Sequence, residues 1–273
     1  MHSYGLIEQS FFRKIHRENL LGPLFSRAIP EKLILSEGEK AFFILDDTGS
    51  RGDWTEIVLG KNASLQMLRL QCTTGEESLD TKTRICQSEG STSKVLHLTL
   101  GPGKVDNRVQ VELRESTADC RLAGILISGE EGFCKQNIRM EHRVPGCESR
   151  QLFKSVLGGR AQSEFEGLIL VSRDAQKTQA FQRSDALLLS ETARSLSLPF
   201  LEIYADDVKC THGATAGQLD KEALFYLQSR GIGKEQARRI LISAFAGEPL
   251  EWIPDPELRT HMENVVSGLL EKI

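Results

Sequence analysis

From about Ile29 to Val208 the chain runs for about 180 residues without one sustained helical stretch, and this limits its fold more than any motif does. Short apolar segments follow one another instead: AFFIL, EIVLG, SLQMLRLQ, KVLHLTLG, RVQVELRE, RLAGILIS, NIRMEHRV, QLFKSVLG, SEFEGLILVS, DALLLS and FLEIYADD. Val109, Val111 and Leu113 alternate with Arg108, Gln110 and Glu112, while Phe165, Ile169 and Val171 share a face with Gly167. A period of two sends successive side chains to opposite faces of a strand. About eleven such segments over this length predict an all-β region.

The segments leave the architecture open between sandwich, barrel and solenoid. Asn-Gly and Asp-Gly pairs, the strongest signals for tight hairpins, are absent from the region. Gly and Ser mark many of the breaks, as at the corners of a parallel β-helix. No strict sequence repeat singles that fold out.

After Thr215 the period changes. Asp220 is placed to cap a helix, its carboxylate accepting from following backbone N–H groups, with Leu219 and Leu224 at the staple positions. Leu224, Phe225, Tyr226 and Leu227 follow, and Gly231 supplies the left-handed residue that ends a helix. A second helix runs from Lys234 to about Phe245, with Ala237, Ile240, Leu241 and Ala244 on one stripe. Asp255-Pro256 joins an N-cap to a proline in the first helical position. It opens a third helix whose apolar face is Leu258, Met262, Val265, Val266 and Leu269. A short helix over residues 4–21, carrying Leu6, Ile7, Phe11, Phe12, Ile15 and Leu20, leads the chain and stops at Gly22-Pro23. The expected organisation is an N-terminal helical segment at 1–28, a β core at 29–217 and a small C-terminal helical domain at 218–273.

Composition narrows the partners. The 273 residues carry a formal net charge of -4 with no Lys/Arg-rich run, which argues against a nucleic-acid partner held through phosphate neutralisation. No apolar run approaches the roughly 18–20 residues that cross a bilayer, and the N-terminus lacks a signal-peptide core, so no membrane role is expected. Six scattered cysteines without a C-x-x-C pair suit a reducing cytoplasm better than a disulfide framework.

Several motifs touch on chemistry. Cys210-x-His212 offers a thiolate and an imidazole, but a closed structural zinc site takes four ligands. Alone, the pair reads as a strand-end cysteine and a histidine bound to local backbone. His142 and Cys147 read as a strand residue and a loop residue; a nucleophilic pair also needs an oriented base and an oxyanion hole. Gly101-Pro102-Gly103-Lys104 lacks the spacing of a phosphate loop and leads into a strand, not a helix. The acidic pairs Asp46-Asp47, Glu130-Glu131 and Asp206-Asp207 read as turns and solvated faces.

The stretch LPFLEIYADDVKCTHGATAGQLDKEALFYLQSRGI resembles the signature of the SufB/SufD family of iron–sulfur cluster assembly scaffolds, and is closer to SufD. The resemblance continues through FEGLILVSRDAQKTQAFQRSDALLLSETARS and MEHRVPGCESRQLFKSVLGG upstream, and through EQARRILISAFAGE downstream, covering at least residues 140–248. It implies a right-handed parallel β-helix (solenoid) followed by a helical C-terminal domain. Members are not enzymes by themselves. They bind a cytoplasmic ABC-type ATPase, SufC, through the C-terminal helices, and SufB pairs with SufD along the β-helix ends.

On this resemblance His212 falls on the histidine of the SufD-type HGAT motif, near the shared interface. It is the candidate for handling iron or a nascent cluster, as a metal ligand completed by the partner chain. No cofactor is expected to be stably bound; a transient iron or iron–sulfur cluster at the interface with SufB is. SufB-like sequences carry Glu where this chain has Gly213, and a cysteine near Ser184, where a thiolate would bind iron or accept sulfur better than a hydroxyl. Both departures point to the SufD-like partner. Typical SufD proteins also carry a longer N-terminal region. The ATPase-interface candidates are Leu224, Phe225, Tyr226, Arg230, Ile240 and Phe245, with Leu241 beside them. Two alternatives stand beside this reading: a β-helix carbohydrate-active enzyme, which needs carboxylates and basic residues along one groove, and a homodimeric interaction module without cluster chemistry.

Overall fold

The computed structural model describes residues 24–26, 31–47, 52–73, 75, 77–129 and 131–270. The helix expected over residues 4–21 lies outside them. Odd and even strands build two different sheets, all of whose pairings are parallel. The first sheet holds β1 (Leu24–Ser26), β3 (Lys40–Asp46), β5 (Ser64–Cys72), β7 (Thr92–Leu100), β9 (Asp119–Ser128), β11 (Glu148–Leu157), β13 (Gln179–Leu188) and β15 (Lys209–Gly217), in that order. The second runs from β2 (Lys32–Leu35) through β4 (Trp54–Leu59), β6 (Ser78–Gln87), β8 (Lys104–Leu113), β10 (Phe133–His142) and β12 (Gln162–Val171) to β14 (Arg194–Ile203). Each coil contributes one strand to each sheet, so the fold is a parallel β-solenoid, as the resemblance implies.

Residues facing inward between the sheets form the main core. Leu65, Met67, Ile85, Val95, Val111, Leu122, Met140 and Ile169 belong to it. Burial of each such side chain contributes about 1.5–3 kcal/mol, and each coil packs on its neighbours through this core. Corners are stacked as regularly as strands. Asn62, Gly90, Thr117, Gly146 and Lys177 each stand two residues before an odd strand and each has a positive φ. The next residue, Ala63, Ser91, Ala118, Cys147 or Thr178, is small and fully buried at each of these five corners. On the opposite corner Gly101 has φ 109, and a Cβ there would meet the carbonyl oxygen of Thr73 at 2.1 Å. Gly101 and Gly103 thus stand at a tight corner with no room for a Cβ, so GPGK serves the turn.

Three helices and a short 3-10 helix follow: α1 (Lys221–Ser229), α2 (Lys234–Gly247), the 3-10 helix Glu248–Trp252, and α3 (Pro256–Leu270). The expected caps are present. Asp220 accepts from the N–H groups of Glu222 and Ala223, Gly231 has φ 85, and the Asp255 carboxylate accepts from Leu258 N–H at 2.7 Å. The helices share a core with the solenoid. Leu68, Leu98, Ile125 and Val156, on the outer face of the odd-strand sheet, cluster with Ile242, Leu250, Leu258, Met262 and Val266. That face is therefore buried on both sides, while the outer face of the even-strand sheet meets solvent.

One stripe needs correction. In α2 the structure buries Ala237, Ile242 and Ala246, while Ile240 and Ala244 are exposed. The sequence pattern on α2 is divided between two environments, because one side meets β11 and the 3-10 helix while another stands clear. In α3 the stripe agrees: Leu258, Met262, Val266 and Leu270 repeat every four residues, with Val265 and Leu269 packed beside them.

Candidate functional site

The solenoid ends in an open coil. β14 and β15 are the last strands of their sheets, each paired on one side only. Every other residue of β14 turns outward, leaving Leu196, Leu198 and Phe200 exposed at 51%, 42% and 48%. Further along the same outer face the surface is different: Glu112 pairs with Arg114 and Arg143, and Glu141 with Arg139 and Arg143. The outer face changes from an ion-pair ladder to an apolar stripe as it nears the end.

β15 carries the HGAT residues. Cys210 and His212, two apart on a strand, point to the same side. Register places His212 beside Gln182 and Gln182 beside Gln151, and the two glutamines are joined by a 3.0 Å hydrogen bond. A row of inward polar side chains thus leads to an exposed imidazole at the end. The strand around His212 is made of Gly213, Ala214, Thr215, Ala216 and Gly217, so little side-chain bulk covers it.

Cys210 is half-buried and packs on the main core. Burial pushes its thiol up, against a smaller lowering by a backbone hydrogen bond from Ala180. Among the described residues no group of three or more His, Cys, Asp and Glu is placed to hold a metal ion.

Of the helical candidates, Phe225 and Tyr226 are exposed at 72% and 57% on α1, and the Arg230 guanidinium lies 5.2 Å above the Tyr226 ring. Leu224 is half-buried, Leu241 likewise, and Ile240 is exposed on α2. None of the α1 residues is fully buried. Phe245 does not join this surface. Its ring sits 4.5 Å from Lys154 Nζ and packs on the core shared with the solenoid.

Sequence reasoning passes over the charges beside Phe245. Lys154 and Asp185, in register on β11 and β13, have side chains only 3% and 5% exposed and meet at 2.7 Å. Lys154 Nζ also lies 2.8 Å from a Glu248 oxygen, and Arg183 bridges Asp185 at 2.6 Å and Glu248 at 3.2 Å. Thr215 of β15 donates to the free Asp185 oxygen at 2.7 Å. Burial pushes the Asp185 carboxyl up, but the bonds from Lys154 and Thr215 and the charges of Lys154 and Arg183 outweigh it and hold it below the usual range. The sequence signal was a charge inside each apolar run, in QLFKSVL and DALLL.

The remaining motifs are structural. His142 Nε2 meets Ser149 Oγ at 2.8 Å, and Cys147 donates to the Glu115 carbonyl at a corner, so the two do not form a pair. Asp47 is held by Arg69 inside the coil rather than solvated, Asp207 pairs with Lys177, and Glu131 with Arg160. No helix among the described residues is long and apolar enough to cross a membrane.

The described residues thus form an open-ended parallel β-solenoid with an apolar terminal strand and a following helix that exposes aromatic side chains. The chain belongs to the SufBD core family: residues 32–245 match the domain described as SUF system FeS cluster assembly, SufBD core domain. It is 33% identical over 236 residues to the iron–sulfur cluster assembly protein SufD of Escherichia coli, covering 83% of this chain and 55% of that one. An iron–sulfur cluster assembly SufBD family protein of Synechocystis is 36% identical over 215 residues, 78% of this chain and 47% of that one. Protein ABCI7, chloroplastic, of Arabidopsis thaliana is 34% identical over 224 residues, 80% and 47% of the two chains. The chain spans about half the length of these curated relatives.

Proposed function

We propose that this chain is a SufD-like scaffold subunit in iron–sulfur cluster assembly, acting by docking and not as a catalyst. The observation that carries the reading is the open last coil, which holds the unpaired edges of β14 and β15, the outward stripe Leu196, Leu198 and Phe200 on β14 and an exposed His212 on β15. A second solenoid pairing there satisfies the free backbone groups of β14 and β15 and covers the stripe. In this reading the second solenoid is a SufB-like paralogue, and His212 supplies one ligand to iron or a nascent cluster whose other ligands come from that partner. Iron here is cargo, held during assembly and passed on. The name of the Escherichia coli relative and the Gly213 and Ser184 departures support the SufD-like side of such a pair.

The α1 surface, with Phe225, Tyr226 and Arg230, takes the SufC-like ATPase. Exposed aromatics beside an arginine have the composition of a binding hot spot. Ile240 extends that surface; Phe245, turned to Lys154, does not. The compartment in this reading is the cytoplasm. A carbohydrate-active site finds little support, since Glu112, Glu141, Glu148 and Asp185 are matched by neighbouring basic side chains.

The test is co-expression with the SufC-like and SufB-like proteins of the same organism, followed by pull-down and size exclusion. A stable complex is expected, lost to the ATPase in Phe225→Glu/Tyr226→Glu. Association with neither protein overturns the reading. Self-association alone, without iron retention after anaerobic reconstitution, favours the homodimeric module instead.

A further inference from the structure

The hairpin of α1 and α2 leaves β15 at Gly217 and meets the sheet again at Glu248, which bonds to Lys154 of β11 and Arg183 of β13. Between these points α1 buries no residue fully. At the return, Lys154, Asp185, Arg183 and Glu248 close a ring of alternating charge, and the ring reaches β15 through Thr215. We propose that Asp185 is a joint that couples the position of the α1–α2 hairpin to the terminal strand, and so to His212, three residues before Thr215 on that strand.

The geometry argues for transmission rather than simple anchoring. Asp185 divides its two oxygens: Oδ2 faces Lys154 and Arg183, the groups that hold Glu248, and Oδ1 faces Thr215. The carboxylate therefore cannot follow Glu248 without changing its bond to β15. The Lys154 ammonium of β11 is walled in by the Phe245 ring of α2, so movement of α2 changes the packing around that ammonium as well as its bond to Glu248. β15 itself is held by β13 along one edge only and is built of small residues, so it yields more readily than inner strands. Charge-assisted bonds in a buried setting make such a link stiff, since a broken bond leaves a desolvated group.

The joint stands on this chain's own contacts; its consequence for iron handling rests on the proposed function. The test is therefore made on the full chain alone, by amide hydrogen exchange. Glu248→Gln keeps the shape of a half-exposed side chain and weakens the ring from the helix side. Thr215→Val removes only the bond to β15. In both, residues 209–217 are expected to exchange roughly threefold to tenfold faster, the effect of one lost hydrogen bond of ordinary strength. In the double variant the change at β15 is expected to equal that of Thr215→Val alone. The imidazole signal of His212, assigned by its loss in His212→Gln, is expected to shift in Glu248→Gln.

If Glu248→Gln changes exchange only around residues 245–252, or if the two changes at β15 add, the contacts are independent and the joint is overturned. An unmoved His212 signal overturns its reach to that residue. Neither result bears on ATPase capture, and failed capture leaves the joint untouched.

Discussion

Gly167 faces Gln182 across the interior so closely that a Cβ on Gly167 would lie 1.9 Å from Gln182 Nε2. Gln182 is buried and bonded to Gln151, and the same Cβ would lie 2.8 Å from Phe165 Cε1, so neither neighbour has free space to retreat into. The glycine makes room for an amide where other coils carry apolar side chains: Val109 and Ile138 hold the equivalent positions on β8 and β10.

Gly167→Ala is accordingly expected to destabilise the protein by about 1–3 kcal/mol, the usual range for overpacking a close-packed core. The urea midpoint should fall with an unchanged slope. Gly167→Ala combined with Gln182→Ala should recover much of the loss; no recovery would mean that Gln182 is not the neighbour displaced.

Lys154→Met is expected to cost about 3–5 kcal/mol, because Asp185 and Glu248 lose the cation that compensates Asp185 in its buried setting. Adding Asp185→Leu should restore part of that loss. The carboxyl of Asp185 is lowered from 3.8, so its contribution is complete above that value and is lost as pH falls through the lower folded value. Asp185→Asn should remove this part of the acid limb, read from urea midpoints at pH 7 and below pH 4.

The solenoid was only half legible in the sequence. Strands with apolar inward residues announced themselves, but β6 did not, because Thr81 and Thr83 occupy inward positions and are matched by Asn107 and Arg69. β15 gives no strand signal either, because small residues carry no period-two pattern, although it pairs with β13 residue by residue. The repeat stayed hidden for two reasons. Coil length varies: Ser78 pairs with Lys104, 26 residues on, Lys104 with Phe133, 29 on, and Gln162 with Arg194, 32 on. Corners also repeat conformation and size rather than identity, so Asn62, Thr117 and Lys177 share a role with glycines. His212 is singled out only by resemblance to a family motif, not by any local pattern of its own. The ring at Asp185 was not legible, since it joins Lys154 to Glu248, 94 positions apart, through packing that no local pattern encodes.

Two buried histidines give the fold a sensitivity to mild acid. Burial, with a smaller push from Arg69, lowers His97 from 6.5 to about 3, and burial lowers His142 from 6.5 to about 4. Both are neutral when folded, whereas the unfolded chain takes up protons below 6.5. Stability therefore falls as pH drops through 6.5, by up to about 1.4 kcal/mol per pH unit for each group, and His142 stops contributing below its folded value. Urea midpoints between pH 7.5 and 5 should show the decline, and His142→Gln should remove close to half of it. A flat profile would mean that neither imidazole is buried in its neutral form.

The terminal strand separates association from folding. Leu196, Leu198 and Phe200 stand on the outer face of β14, away from the main core, so changing them leaves the coil's interior intact. Leu198→Glu and Phe200→Glu are expected to alter folding stability by about 0.5 kcal/mol or less. Pairing with a second solenoid is a different matter, because burial against a partner would desolvate the new carboxylates on a stripe that is otherwise apolar. The dissociation constant for that pairing is expected to rise about 100-fold, the effect of losing a central apolar contact. Sedimentation velocity with the SufB-like partner reads it directly. Unchanged affinity in a folded double variant would remove the β14 face from the interface and leave only the backbone edges to carry it.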